Sequence, residues 1–150
     1  GETVVLDNGE RLDLLQPEPV DLTNRNVSPV GAVKVLLVED DPVTRWMVRS
    51  ALKKECRLAT APSANKAFAM VENFKPDVIF LDINLPDKNG HAVLDWVMHH
   101  DPGACVVMFS SQGDMANIAT ALDDGAKGFV AKPFLKENLL YYIRQHERAA

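Results

Sequence analysis

Side chains that could do chemistry stand directly after several short apolar runs of this sequence. Glu39 and Asp40 follow the run KVLLV, Asp82 follows VIFL, Ser110 follows VVMF and Lys132 follows GFVA. If these runs are parallel strands of one sheet, their carboxyl ends meet at one edge, where the ligand sites of such sheets lie. One acid at a strand end is usually a solvated cap. This chain has three carboxylates, a hydroxyl and an amine at strand ends, and their shared position at one edge predicts a ligand-binding or catalytic site there.

The chemistry of such a cluster follows from its charges. Three neighbouring carboxylates repel one another, and magnesium fits sites with few carboxylates that also carry phosphate. A carboxylate beside bound magnesium can attack a phosphoryl group and form an acyl phosphate. We therefore predict Asp82 as the nucleophile and Glu39 and Asp40 as metal ligands. Lys132 and Ser110 are predicted to contact the phosphoryl oxygens, whose charge they would stabilise.

Alternating strand and helix patterns from residue 34 onwards position these groups. Five apolar runs alternate with segments of helical periodicity, which predicts an α/β fold with a doubly wound, five-stranded parallel sheet. Pro42 suits the first position of the first helix, with Asp41 as its N-cap. The predicted strands are Val35–Val38, Leu58–Ala61, Asp77–Leu81, Ala104–Phe109 and Gly128–Ala131. The predicted helices are Val43–Glu55, one capped by Ser63, Gly90–His100, Asp114–Asp124 and Lys136–Glu147.

Residues 1–33 form a chemically distinct N-terminal extension. Six acids and two bases give it a net charge of −4, whereas residues 34–150 carry −1. Apolar runs on both sides of Asn8-Gly9 predict a β-hairpin within residues 3–15, closed by a two-residue turn. An isolated hairpin is marginal and needs a partner surface, and the proline-containing stretch after it predicts a linker. We therefore divide the chain into an extension, residues 1–33, and a domain, residues 34–150.

Composition excludes several classes of function. The 150-residue chain has a net charge of −5, which gives no general attraction to nucleic acid or to anionic lipid. No apolar run approaches the ~20 residues of a membrane helix, and no N-terminal segment has the pattern of a signal peptide. Two cysteines, Cys56 and Cys105, make neither a disulfide framework nor a zinc site. A reducing, cytoplasmic location is the simplest interpretation.

Four segments in a fixed order resemble a known family. KVLLVEDDP, VIFLDINLPDKNG, VVMFSS and GFVAKPF resemble the receiver domain of two-component response regulators, the CheY-like receivers. The resemblance covers Lys34 to about Glu147. It implies a flavodoxin-like three-layer fold with strand order 2-1-3-4-5 and Mg²⁺ as the cofactor. Asp82 matches the phospho-accepting aspartate, and Glu39 and Asp40 match the acidic pair, with Asp40 as the direct metal ligand.

The resemblance assigns further positions. It implies that the backbone carbonyl of Asn84 also binds magnesium and that the Lys132-Pro133 peptide bond is cis. Ser110 matches the switch hydroxyl, and Phe129 matches the aromatic ring that turns inward on activation. Ser111 replaces the usual alanine after the switch residue but is small enough to leave the phosphate accessible. Phe129 replaces the frequent tyrosine, so a hydroxyl-mediated output contact is absent at that position.

These matches imply a phosphorylation-controlled signalling module rather than an enzyme. A sensor histidine kinase or a histidine phosphotransfer protein would donate the phosphoryl group to Asp82. The surface of the fourth helix, fifth strand and fifth helix would then change toward a downstream protein partner. We expect no direct contact with nucleic acid and no membrane insertion. Two alternatives stay open: association into a homodimer, and a place within a larger chain.

Two other functional classes are weighed against this one. An aspartate-nucleophile phosphatase of similar fold needs a second aspartate two residues after the nucleophile, where this chain has Asn84, which cannot transfer protons. A flavodoxin-like cofactor binder needs a glycine- and hydroxyl-rich loop after the first strand, where Glu39 and Asp40 would repel phosphate. A metal role for His99 and His100 is disfavoured, because adjacent helical residues point about 100° apart.

Overall fold

The computed structural model describes Thr3–Val5, Arg11–Asp13, residues 33–111 and residues 115–147. Strands and helices alternate from residue 34 onwards, as the sequence pattern predicts. Their bounds in chain order are β1 Thr3–Val5, β2 Arg11–Asp13, β3 Lys34–Val38, α1 Pro42–Leu52, β4 Arg57–Ala61, α2 Ala64–Phe74, β5 Val78–Asp82, α3 Gly90–His100, β6 Cys105–Ser110, α4 Met115–Asp123, β7 Gly128–Ala131 and α5 Lys136–Arg144.

The main sheet of the described residues has five parallel strands in the order β4-β3-β5-β6-β7. Counted from β3, this is the order 2-1-3-4-5, so the expected doubly wound fold is confirmed. The chain passes from β3 to β4 on one side and then to β5 on the other. Ligand sites of open α/β sheets lie outside the carboxyl ends of the strands at such a reversal, which here falls between β3 and β5.

Two apolar cores cover the two faces of this sheet, because successive side chains of a strand point to opposite faces. In β3, Leu36 and Val38 face the core that α2, α3 and α4 complete. Val35 and Leu37 face the other core, completed by α1 and α5. The sheet is therefore the middle of three layers, and all four of these side chains are fully buried.

Helix starts agree with the predicted caps, whereas α1 and α5 end three residues earlier than predicted and α4 ends one residue earlier. Asp41 caps α1 by accepting from the Thr44 amide, with Pro42 at the first helical position. The first helix ends at Leu52 rather than Glu55, and α5 ends at Arg144 rather than Glu147. After α5 the next three amides bond three residues back, and after α1 the Glu55 amide does the same, which tightens the turn as helix termini commonly do. Asp114, the predicted start of α4, lies outside the described residues.

The expected pairing of two short strands in the extension is present. β1 and β2 are antiparallel, with Val4 opposite Leu12 and Val5 opposite Arg11. A two-residue turn at Asn8-Gly9 would instead place Val5 opposite Leu12, so the register differs by one residue from that prediction. Residues 6–10 and 14–32 lie outside the described residues, so the turn and the linker stay predictions.

Candidate functional site

Four strand ends position the predicted groups at the carboxyl edge of the sheet. Asp82 and Ser110 are the last residues of β5 and β6, and Glu39 and Lys132 directly follow β3 and β7. Backbone bonds extend the sheet past two of these ends. The Glu39 amide donates to the Ala61 carbonyl at 3.0 Å, and the Lys132 amide donates to the Ser110 carbonyl at 2.8 Å. The parallel register thus joins groups from distant parts of the chain.

Three carboxylates form the centre of the site. One oxygen each from Glu39, Asp40 and Asp82 lies within 4.8 Å of the other two. Glu39 is fully buried and Asp82 is 6% exposed, whereas Asp40 is exposed to solvent. Hard carboxylate oxygens at such separations suit a divalent cation that keeps part of its water shell, and the exposed side leaves room for that water.

Lys132 contributes the positive charge of the cluster. Its ammonium donates a hydrogen bond to Glu39 Oε1 and lies 3.6 Å from Asp82 Oδ1. Burial alone would lower the pKa of Lys132, but the hydrogen bond to Glu39 and the charges of Glu39 and Asp82 outweigh it and raise that pKa. Lys132 is therefore held as an ammonium between the two buried carboxyl groups.

Glu39 is the most strongly perturbed acid of the site. Burial is the main cause that raises its pKa from 4.5 to about 8, and the neighbouring Asp82 carboxyl raises it further. The hydrogen bond from Lys132 and its charge act in the opposite direction. In the cation-free protein, Glu39 therefore holds a proton near neutral pH, because a third negative charge in this buried position is unfavourable.

Two buried oxygen atoms of the described site lack hydrogen-bond partners. They are Glu39 Oε2 and Ser110 Oγ. Buried polar atoms in native proteins nearly always have a partner, which can be an ion, a ligand or water. The donor set fits a cation on the carboxylate side, and the hydroxyl is free for an oxyanion. Ser111 is exposed, whereas Ser110 is buried, which favours Ser110 as the functional serine.

The loop after β5 places Asn84 beside Asp82. The Asn84 amide donates to Asp82 Oδ1 at 3.3 Å, and Asn84 pairs with Asn89 through an antiparallel bridge. Gly90 then starts α3 directly against the strand end, where its amide donates to the Ile83 carbonyl at 2.6 Å. A Cβ on Gly90 would lie 2.8 Å from the Ile83 Cα atom. Only glycine lets the backbone approach this closely.

Three residues that support the site were not predicted from the sequence. Gly90 is one of them, since the sequence pattern assigned it only the first position of the predicted helix Gly90–His100. Asp87 accepts from the amides of Ala64 and Asn65 at 2.9 and 3.1 Å, which ties the loop after β5 to the start of α2. Arg45 bonds to two carbonyls of the loop after β3. No local sequence pattern signals the Asp87 contact, because its partners are more than 20 residues away.

The remaining predicted positions lie outside the acidic cluster. Phe129 in β7, an edge strand of the five-stranded sheet, is 38% exposed. The Lys132-Pro133 peptide bond is cis, as the resemblance implied. His99 and His100 have different partners: the His99 ring bonds the Asp95 carbonyl, whereas His100 stacks on an aromatic ring and contacts an acid of α2. Both cysteines are buried, and neither forms a disulfide bond.

Comparisons with known proteins bear on this geometry. A family model described as the response regulator receiver domain matches residues 35–144. The chain is 33% identical over 110 residues to the chemotaxis protein CheY of Listeria monocytogenes, covering 72% of this chain and 92% of that protein. It is 34% identical over 118 residues to the transcriptional regulatory protein KdpE of Staphylococcus aureus, covering 78% of this chain and 51% of that protein.

A solved structure of a receiver domain is also similar to this chain. The crystal structure of the receiver domain of NtrX from Brucella abortus superposes with a TM-score of 0.67 at 31% identity, covering 75% of this chain and 96% of that one. In the part of the chain that the structure describes, no helix has the length and apolar content needed to cross a bilayer.

Proposed function

This chain belongs to the response regulator receiver domain family, and from that premise we propose that Asp82 is its phosphoryl acceptor. Receiver domains of two-component response regulators are signalling modules controlled by phosphorylation. The observation that carries the proposal is the position of the Asp82 carboxylate. It stands at the reversal of strand order, within 4.8 Å of the oxygens of Glu39 and Asp40 and 3.6 Å from the Lys132 ammonium.

The proposed reaction is a single phosphoryl transfer. A carboxylate oxygen of Asp82 attacks the phosphorus of a phosphohistidine, and an O–P bond forms while the P–N bond breaks. The electron pair of the broken bond stays on the imidazole nitrogen, which leaves as the neutral partner side chain after taking up a proton. The product on this chain is an acyl phosphate at Asp82.

We assign Glu39, Asp40 and Asp82 to a magnesium site, with the Asn84 carbonyl as a further ligand. Receiver domains generally bind Mg²⁺ at an acidic pocket, and these residues form such a cluster here. The buried Glu39 Oε2 has no hydrogen-bond partner, which supports the assignment, since a cation is one of the partners that buried carboxyl oxygens take. Bound Mg²⁺ would supply charge neutralisation between the carboxylates and the incoming phosphoryl oxygens.

Lys132 and Ser110 are assigned to the phosphoryl oxygens. Lys132 already lies beside Asp82, and the Ser110 hydroxyl is buried and lacks a partner. When Ser110 moves to the phosphoryl group, space opens behind it. We propose that the exposed Phe129 ring turns into that space and so changes the surface formed by α4, β7 and α5.

The proposed output surface has a concave part. A groove of about 450 Å³ runs between β7 and α5. Its lining includes Phe129, so inward rotation of that ring would alter the shape of the groove. Tyr141 also lines it and is 62% exposed. A downstream protein that contacts this groove could therefore distinguish the two positions of Phe129.

Receiver domains interact with histidine kinases or with phosphotransfer proteins, and we propose one of these as the phosphoryl donor. The domain is proposed to span residues 34–150 and to work in the cytoplasm without contacting nucleic acid or membrane.

Receiver domains are signalling modules rather than classical enzymes. Accordingly, we assign this chain only its own phosphorylation and dephosphorylation. Asn84 offers no second carboxyl group, and nothing in the comparisons supports the phosphatase alternative.

Labelling by acetyl phosphate in the presence of Mg²⁺ tests the acceptor. Asp82→Asn should abolish incorporation, because an amide is not a nucleophile toward phosphorus. Asp95→Asn, an exposed acid on α3, is the matched control and should label like the parent. Phosphate on an intact mass spectrum that persists in Asp82→Asn at the parent's stoichiometry would refute the assignment.

A further inference from the structure

We propose that Arg45 is a positioning residue of the cation site, whose guanidinium fixes the loop that presents Glu39 and Asp40. The inference rests on the proposed function, because it concerns the cation that the acidic cluster is proposed to bind. It adds to that function a residue that is not itself a ligand. Arg45 is the fourth residue of α1.

The contact that carries the inference is a double hydrogen bond. Nη1 of Arg45 donates to the Glu39 carbonyl at 3.0 Å and to the Asp40 carbonyl at 2.7 Å. These two residues make up the whole connection between the end of β3 and Asp41, the N-cap of α1. Hydrogen bonds from a charged donor are shorter and stronger than neutral ones, and a guanidinium stays charged at every accessible pH.

The contact with Arg45 restrains the loop at two successive peptide groups. The carbonyls of Glu39 and Asp40 each accept a hydrogen bond from Arg45, which fixes the direction in which they point. The same loop carries the carboxylates of Glu39 and Asp40, whose oxygens lie in the acidic cluster. The proposed carbonyl ligand, Asn84, comes from a different segment, the loop after β5.

Asp40 is the residue for which this restraint matters most. Glu39 is held by full burial and by its amide, which donates to the Ala61 carbonyl. Asp41 is held by its cap, which accepts from the amide and hydroxyl of Thr44 at 3.1 and 2.6 Å. Asp40 lies between them and is exposed, so packing does not fix it. Arg45 holds the carbonyl groups of Glu39 and Asp40 in place. Asp40 therefore loses less conformational entropy when it binds a cation.

Direct measurement of cation binding tests the inference. Mn²⁺ binding, followed by the EPR signal of the free ion, and Mg²⁺ competition give dissociation constants without any phosphorylation step. Arg45→Met should weaken binding about 10-fold, the lower end of the effect of removing a residue that orients a metal ligand. Arg49→Met, one turn further along the same helix, removes the same charge and side chain away from the loop and should change the constant little.

The outcomes separate three explanations. Equal affinity in Arg45→Met and the parent overturns the positioning role. Both hydrogen bonds come from the single atom Nη1, so Arg45→Lys, which keeps a charged nitrogen donor, should recover part of the affinity that Arg45→Met loses. A loss in Arg49→Met as large as that in Arg45→Met would show a general charge effect and would also overturn the positioning role. If Arg45→Met does not fold, Arg45→Lys carries the comparison. A parent protein that binds neither ion would instead refute the proposed cation site.

Discussion

Replacing Glu39 by glutamine should change how the stability of this protein depends on pH. The side chain is fully buried, and its pKa rises from 4.5 in the unfolded chain to about 8 in the cation-free folded protein. Between these values the folded state binds more protons than the unfolded state. The free energy of unfolding must therefore fall as the pH rises from about 4.5 to about 8. Glutamine keeps the shape of the side chain but cannot titrate.

The structure gives the size of this effect. A single proton linkage has a slope of about 1.4 kcal/mol per pH unit, so the parent should lose about 1.4 kcal/mol per unit relative to Glu39→Gln between about pH 5 and pH 7.5. Across the whole rise of about 3.5 units the loss approaches about 5 kcal/mol. The raised pKa of Lys132 acts only above 10.5, and the lowered pKa values of Asp41 and Asp87 act only below 3.8. None of these overlaps the window.

Urea unfolding in EDTA, followed by tryptophan fluorescence at half-unit steps from pH 5 to pH 8, measures this difference. Glu55→Gln is the matched control, because it removes a carboxylate from a lysine pair with Lys136, at 3.0 Å, outside the acidic cluster. Its curve should run parallel to the parent's. Parallel curves for Glu39→Gln and the parent would refute the burial argument.

Two further predictions concern the shape and the charge of the site. Gly90→Ala should cost about 1–3 kcal/mol of stability and slow acetyl phosphate labelling, because a Cβ 2.8 Å from the Ile83 Cα atom displaces the end of β5. Gly103→Ala is its control, since there the nearest atom to a Cβ is 3.4 Å away; equal unfolding midpoints for the two variants would contradict the packing argument. Asp40→Ala should weaken Mg²⁺ binding at least about 10-fold by removing a ligand, as judged by a fluorescence titration. An unchanged dissociation constant would remove Asp40 from the metal site.

The fold was predictable because its signals are local. The strand-and-helix alternation depends on hydrophobic periodicity within each segment, and every predicted strand and helix of residues 34–150 occurs in the structure. Caps such as Asp41 and Ser63 act on amides only three residues away, so the sequence reveals them. The early ends of α1 and α5 were not predictable, because the last turn of a helix depends on how its free carbonyls are satisfied.

The grouping of these side chains at the carboxyl edge of the sheet was predictable, but their electrostatics were not. A parallel sheet aligns strand ends, so the acids at the ends of β3 and β5 had to lie close together. The pairing of Lys132 with Glu39, which the sequence suggested only as separate roles, depends on the depth to which Glu39 is buried. The pairing of β1 with β2 likewise differs by one residue from the register that a two-residue turn at Asn8-Gly9 predicts. A turn signal in the sequence does not by itself set the loop length.

The sequence by itself determined the family, the layer order and the residues that stand at the carboxyl edge, since short-range periodicity and strand-end position suffice for these. Tertiary structure alone decided three things: the full burial that raises the pKa of Glu39, the grip of Arg45 on the two loop carbonyls, and the close approach that requires glycine at position 90. Each depends on distances between groups that fold together from separate elements. Solvent exclusion and hydrogen-bond geometry exist only once those elements are packed.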